Sequence, residues 1–196
     1  MWAAPAPEGA IDGKALRESL LAEFAWRGDR TDHTRYADMC GWWRDPETLR
    51  SLGAGLAALF ADLRPTVVLS PESRGHILGP LVAIALGVGF VEVRKDPDQL
   101  TDSDAWVKRT APPDYLDRQL RLGFPRRLVR PHDRVLMVDD WIETGGQATA
   151  VRALVDEVGA DWLGAATVVD ALDDSALRRR LTVRSLLTYR DLMASY

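Results

Sequence analysis

The stretch Val135 to Thr149, VLMVDDWIETGGQAT, constrains this chain more than any other. Val135, Leu136, Met137 and Val138 form a short continuous apolar run, the pattern of a strand buried on both faces of a parallel sheet. Asp139 and Asp140 follow, then a Thr144-Gly145-Gly146 turn that opens an amphipathic stretch. The turn therefore begins at a strand's carboxyl end, where open α/β sheets bind their ligands. Backbone N–H groups of such a turn and of the helix start behind it can surround a phosphate, and Gly145 and Gly146 let the chain come close to one. The pattern lacks the spaced glycine and the Lys-Ser/Thr pair of a Walker A loop, and it is not G-x-G-x-x-G.

The two aspartates set the motif apart. Carboxylates repel phosphate but suit hydroxyl groups, so the expected ligand carries a phosphate at one end and a diol nearby, as ribose 5-phosphate does. The plain alternative is an Asp-Asp pair that happens to precede an ordinary glycine-rich turn. A hydrophobic strand, two acidic residues, two mostly apolar residues and then x-T-G-G resembles the signature with which type I phosphoribosyltransferases bind phosphoribosyl pyrophosphate (PRPP). The resemblance implies that Asp139 and Asp140 hold the ribose hydroxyls. It gives the 5-phosphate to Glu143, Thr144, Gly145, Gly146, Gln147 and Ala148.

At 196 residues the chain is long enough for one domain that buries roughly 70% of its unfolded surface. A net charge of -4 and a pI near 5.4 argue against a nucleic-acid partner, which calls for a concentrated Lys/Arg face. Arg178, Arg179 and Arg180 read instead as a solvated helix face. One cysteine, Cys40, excludes an intramolecular disulfide and fits a reducing cytoplasm. The opening MWAAPAPEGA lacks the basic start and apolar core of a signal peptide, and residues 1–13 read as a loose tail. Ile77 to Val93 is the most apolar stretch, but Gly79, Pro80, Gly87 and Gly89 interrupt it, and it is not read as a membrane span.

Along the chain, Asp12 caps a helix whose Leu16, Leu20 and Phe24 share one stripe. Tyr36 to Trp43 has no clear period and is expected to be a loop or hood. Asp45 caps a second helix with Pro46 at its first position and a buried face from Leu49 to Leu63. Pro65 ends it, and Thr66 to Leu69 reads as the first core strand. A polar turn, Ser70 to His76, precedes an apolar helix from about Ile77 to Leu86 and a strand from Phe90 to Lys95. Asp96 to Pro131 is long and rich in charge and proline, so it reads as a lid or as carrying a hairpin. After the glycine turn, Ala148, Val151, Leu154, Val155 and Val158 recur at helical spacing, with Gly159 as the stop. Trp162 to Val169 is a further buried strand, Ser175 to Leu181 a short helix and Val183 to Tyr189 a last strand. Strands alternating with helices predict one α/β domain over 14–196, with a mainly parallel sheet flanked by helices.

ESRG…LGP…ALGVGFVEVRK, within Glu72 to Lys95, is similar to the corresponding block of adenine phosphoribosyltransferases, and SLLTY is similar to their final strand. The likeness runs from about Tyr36 to the C-terminus. It implies that Glu72, Ser73, Arg74 and Gly75 form a pyrophosphate loop with a cis Glu72–Ser73 peptide, and that Arg94 and Lys95 close the same pocket. It makes 96–131 a flexible catalytic lid. There the chain departs from those enzymes: DPDQL stands in place of a lysine-containing K-P-G-K-L and no L-E-Y follows, so Asp114, Tyr115 and Asp117 are the nearest substitutes. In the hood, Tyr36-Ala37-Asp38-Met39-Cys40 replaces F-R-D-I-T, which puts Ala37 where the hood arginine stands and assigns Ala37 and Met39 to the base.

Trp141, by its place in the signature, either stacks on the base or packs under the sheet. Asp170 stands where a 6-oxopurine enzyme would carry a lysine, an acceptor compatible with an amino-bearing ring. Glu143 replaces the alanine of the adenine enzymes. In hypoxanthine-guanine phosphoribosyltransferases an aspartate at this position accepts the purine proton, so Glu143 is either that general base or a solvent-facing loop glutamate.

The activity implied is transfer of the phosphoribosyl group of PRPP to a nitrogen base, a purine, with release of pyrophosphate. Asp139, Asp140, Glu143 and Arg74 are the catalytic candidates. Mg²⁺ arrives with PRPP and no protein-held metal is expected, since His33, His76 and His132 are too scattered for a cage. A homodimer with neither nucleic-acid nor membrane partners completes the expectation. The rival from another class is a PRPP-binding regulator that keeps the cradle without turnover. Which base is accepted stays open at this level.

Overall fold

Aspartates cap two of the first three helices, as their positions require. The computed structural model describes residues 12–28, 35–97, 105–112 and 120–194. Asp12 accepts from the N–H groups of Lys14 and Ala15 at the head of α1 (Gly13–Glu23). A two-stranded antiparallel ribbon follows, β1 (Ala25–Arg27) with β2 (Tyr36–Asp38), and then a short α2 (Cys40–Arg44). Asp45 accepts from Thr48 N–H and Pro46 occupies the first turn of α3 (Pro46–Ala58). The remaining order is β3 (Val67–Pro71), α4 (Gly75–Leu86), β4 (Gly89–Lys95), β5 (Trp106–Thr110), β6 (Arg121–Pro125), β7 (Arg134–Ile142), α5 (Gly146–Glu157), β8 (Asp161–Asp170), α6 (Ser175–Leu181), β9 (Val183–Thr188) and α7 (Tyr189–Ala194).

The central sheet runs β5-β6-β4-β3-β7-β8-β9. Its strands from β4 to β9 pair in parallel, and the β5–β6 hairpin adds to the β4 edge in antiparallel fashion. Helices cover both faces. Ala148, Val151, Leu154 and Val155 of α5 pack with Val135 and Met137 in one core layer. Leu16 and Leu20 of α1, Leu52 and Leu56 of α3, and Leu78 and Val82 of α4 pack with Leu136 and Val138 in the other. This is the mainly parallel α/β architecture that the sequence predicts, and no helix of the described residues is long and apolar enough to cross a membrane.

Two local expectations change, and one of two alternatives is selected. Tyr36 to Trp43 is not a plain loop: it contains β2 and α2, and Trp42 is fully buried with its indole N–H donating to Leu20 O at 2.9 Å. A three-residue strand and a five-residue helix are too short to print a period. Within 96–131, the hairpin reading is the one that describes the visible chain: β5 and β6 join the sheet through Arg94–Gly123 and Lys95–Leu122 pairing, and Val107, Leu122 and Phe124 are buried. The last strand ends at Thr188, one residue early. The Thr188 N–H and hydroxyl both donate to Asp191 at 2.7 Å, an N-terminal cap that turns Tyr189 into the start of α7. Of the expected tail, residues 1–11 lie outside the described residues, as do Asp114, Tyr115 and Asp117.

α3 and α4 cross at close range. A Cβ built on Gly53 of α3 would stand 2.7 Å from Leu81 Cβ and 2.9 Å from the Leu81 backbone carbonyl. Gly53→Ala gains up to about 1 kcal/mol of helix propensity but must push the helices apart, which costs about 1 to 3 kcal/mol. We expect a net loss, read as a lower urea midpoint at unchanged slope; a midpoint at or above that of the parent would refute the tight crossing.

Candidate active site

The carboxyl end of β7 carries the site's charge. Its Val135, Leu136, Met137 and Val138 alternate between the two core layers, so the strand is anchored on both faces before Asp139 and Asp140 emerge at its end. Asp140 is only 8% exposed. Its Oδ2 lies 2.7 Å from Arg74 Nη1, and its N–H donates to Asp139 Oδ1 at 3.0 Å. Asp139 is recessed beside it. Burial, then the neighbouring Asp140 carboxylate, push the Asp139 carboxyl well above the usual carboxylate range, against the pull of the Asp140 N–H and the Lys95 charge. Arg74 reaches this pair because β3 is the parallel neighbour of β7 and α4 starts straight after the β3 turn. Gly75 makes that start possible: a Cβ there would sit 3.3 Å from Asp139 Oδ1 and 3.2 Å from Ser70 Cβ.

A cleft of about 570 Å³ opens over these groups, within the range of small-molecule sites. Residues 143–148 form one wall. Gly145 adopts φ 71° ahead of α5, the Gly146 N–H donates to Thr144 Oγ1 at 3.3 Å, and the Thr149 hydroxyl closes back onto Gly145 O at 2.8 Å. A Cβ on Gly146 would meet Pro112 O at 2.7 Å, so the chain leaving β5 rests directly on the loop. Gln147, on the same wall, buries an Oε1 without a hydrogen-bond partner. The loop places the N-terminus of a twelve-residue helix at the cleft, an arrangement suited to an anion.

Opposite stand Glu72, Ser73, Arg74 and Lys95. The Glu72–Ser73 peptide is cis. Glu72 Oε2 accepts from Lys95 N–H at 2.7 Å, and Glu72 Oε1 lies 3.1 Å from Arg94 Nε. The third side is apolar. Trp26, Trp141 and Tyr189 meet edge to face, with centroids 5.9 to 6.5 Å apart, next to Ala37 and the buried Met39.

Asp139, Asp140, Trp141, Glu143, Thr144, Gly145, Gly146, Gln147, Ala148, Glu72, Ser73, Arg74, Lys95, Ala37 and Met39 thus share one cleft. Two expected members stand apart from its wall. Gly75 lies behind it, beneath Asp139. Arg94 is directed away, paired with Glu72 and with Glu92 at 3.0 Å, because successive strand residues point to opposite faces; of the Arg94-Lys95 pair only Lys95 reaches the cleft. Asp170 is not a free acceptor for a base: Arg178 Nε at 2.6 Å and the Leu172 N–H at 2.9 Å occupy its oxygens where β8 turns toward α6. The same pair makes Arg178 a structural cation, unlike its exposed neighbours Arg179 and Arg180. Sequence reading missed Trp26 and Tyr189 as cleft residues. Tyr189 was within reach as the last residue of SLLTY, whereas nothing local marks Trp26.

A description of the phosphoribosyl transferase domain matches residues 49–188. The adenine phosphoribosyltransferase of Nitrosospira multiformis is 35% identical over 159 residues, spanning 79% of this chain and 85% of that one. The crystal structure of adenine phosphoribosyltransferase from Rhodothermus marinus superposes with a TM-score of 0.75 at 29% identity, covering 89% of this chain and 99% of that one. The Saccharomyces cerevisiae enzyme, solved with an imino-altritol bisphosphate and adenine, gives 0.74 at 27%, with coverage of 89% and 99%. Fold and site together define a type I phosphoribosyltransferase architecture. The chain belongs to the phosphoribosyltransferase family, enzymes of the glycosyltransferase class, and the relatives named here are adenine phosphoribosyltransferases.

The raised Asp139 carboxyl gives a pH signature. A folded pKa above the unfolded one leaves no penalty below about pH 4 and a growing penalty as pH rises through the folded value. Asp139→Asn keeps the acceptor for the Asp140 N–H and removes the charge. Its melting temperature without ligand should therefore exceed that of the parent at about pH 8, with the difference shrinking toward about pH 4. A difference independent of pH would contradict the burial of this carboxyl.

Proposed function

We propose that the chain transfers the phosphoribosyl group of PRPP to adenine and releases pyrophosphate. The observation that carries the reading is the meeting, across one cleft, of the acidic pair, the α5 phosphate loop and the cations Arg74 and Lys95. The adenine bound in the yeast relative supports the choice of base. The 5-phosphate lies on residues 143–148, the ribose hydroxyls on Asp139 and Asp140, and the base against Trp141, Trp26 and Tyr189 with Ala37 and Met39 above it. Arg74 exchanges Asp140 for pyrophosphate oxygens, which its planar fork meets two at a time, and this frees Asp140 for the diol. Lys95 adds a point charge.

The bond formed joins a ring nitrogen to the anomeric carbon, and the bond broken is the one from that carbon to pyrophosphate. The sugar passes through an oxocarbenium-like state that the preorganised carboxylates stabilise. Glu143, exposed between the acidic pair and Thr144, takes the proton from the ring nitrogen. Mg²⁺ fits this donor set. It prefers one or two carboxylates, its own waters and substrate phosphates, and among the described residues no three His, Cys, Asp or Glu side chains gather into a cage. It would arrive with PRPP, whose ribose hydroxyls Asp139 and Asp140 take, and when bound it neutralises charge on the departing pyrophosphate. The reading extends to a homodimer in the cytoplasm; a single free cysteine, Cys40, supports the compartment.

Mixing the protein with PRPP, Mg²⁺ and adenine should release pyrophosphate, and PRPP with Mg²⁺ should raise the melting temperature. Asp139→Asn combined with Asp140→Asn should abolish that shift. Binding without turnover for any base would assign a regulator instead, and equal PRPP affinity in the double variant by calorimetry would remove the site assignment.

Glu143→Gln should lower turnover by about 10² to 10⁴ while PRPP affinity stays near that of the parent. Turnover within about threefold of the parent would make Glu143 a bystander of the loop.

A further inference from the structure

Two indoles of this chain give their N–H to a main-chain carbonyl. Trp42 donates to Leu20 O at 2.9 Å and Trp162 to Leu181 O at 3.1 Å. Trp26 differs from both: its Nε1 is buried with no hydrogen-bond partner among the described residues, and its side chain lines the cleft. An indole N–H can only donate, and a buried donor left unpaired is a net loss to the fold. Such a group on the wall of a ligand site points to an acceptor carried by the ligand.

The surroundings of Trp26 explain why the chain supplies no acceptor of its own. Its cross-strand partner on the β1–β2 ribbon is Ala37, whose side chain has none to offer. Phe24, Trp141 and Tyr189 meet its ring edge to face, with centroids 5.1, 6.5 and 5.9 Å away. Ring faces are weak acceptors, so a nitrogen lone pair brought by a ligand outcompetes them. The ribbon is two strands of three residues that pair with each other outside the central sheet. A ribbon of that size is marginal by itself and yields to the small ring rotation that aims an N–H.

We propose that the Trp26 indole N–H is a specificity-determining donor for the base, taking an unprotonated nitrogen on the edge of the planar ring. This inference rests on the proposed function and deepens it. Adenine with its proton on N9 presents three such nitrogens, N1, N3 and N7. A ring that carries C–H or a protonated nitrogen at the position meeting Trp26 leaves the donor unpaired, and the loss is read as discrimination between bases. The aromatic faces of the wall hold any flat ring; the N–H chooses among them.

The experiment compares kcat/KM for adenine, 1-deazaadenine, 3-deazaadenine and 7-deazaadenine in the parent and in Trp26→Phe. Each analogue exchanges one ring nitrogen for C–H, and the substitution keeps an aromatic ring while removing the donor. For one analogue, the preference for adenine should be about tenfold or more larger in the parent than in Trp26→Phe. For the other two, the preferences should agree within about threefold, because the intrinsic reactivity of each analogue cancels between the two proteins. Trp26→Phe should raise KM for adenine and leave KM for PRPP unmoved. Agreement within about threefold for all three analogues, in a parent that turns over adenine, would overturn the donor role alone. A parent that turns over no adenine would overturn both this inference and the function on which it rests. Should Trp26→Phe not fold, benzothienylalanine at position 26 decides the matter by the same ratios, since it keeps both rings and sets a sulfur where the N–H stands.

Discussion

Two carboxylates on consecutive residues, at the end of a strand otherwise sealed in the core, can be tolerated only if the surrounding elements neutralise or protonate them. Asp140 is neutralised, by Arg74 at 2.7 Å. Asp139 instead has its carboxyl pushed up by burial and by its neighbour. Each solution requires a particular piece of the fold. The parallel pairing of β3 with β7 sets the β3–α4 turn beside the aspartates, and Gly75 removes the side chain that would otherwise crowd Asp139. Removing Arg74 would leave Asp140 buried without its cation, the costly half of a broken ion pair.

The other walls follow from the same sheet edge. The α5 N-terminus offers backbone donors beside two acceptors, an arrangement suited to a phosphate on one side of the turn and hydroxyl groups on the other. The hairpin at the far edge contributes the backbone of Pro112, seated against Gly146. Along β4 the alternation of side chains separates adjacent cations, Lys95 on the cleft wall and Arg94 paired with Glu72 and Glu92.

What was legible in the sequence was what is local. The β7–α5 motif, the Glu72 to Gly75 turn and the capped helices are each written in a few consecutive residues, and the structure brings the motif and the turn into one cleft. Arg94 and Lys95 were assigned to one pocket, against a signal the sequence does carry, since two neighbours in a strand cannot face the same way, and only Lys95 lines the cleft. Asp170 was harder. Its partner Arg178 lies eight residues on, and only the β8–α6 turn brings them together. The aromatic wall was beyond local reading, because Trp26 and Tyr189 come from opposite parts of the chain and no period or motif joins them.

That joining bears on how the protein comes into being. Arg17 of α1 holds Leu186 O at 2.9 Å and Asp191 at 2.5 Å, and Trp26 meets Tyr189 with centroids 5.9 Å apart. Early and late segments therefore close the apolar side of the cleft between them. A chain emerging from the ribosome, folding from its N-terminal side, has residues for the phosphate loop and the acidic pair once α5 is made. It has no closed aromatic wall until Tyr189 has followed. The wall that carries the acidic pair and the glycine loop is thus complete in sequence before the apolar wall, whose last member, Tyr189, is among the final residues to be made.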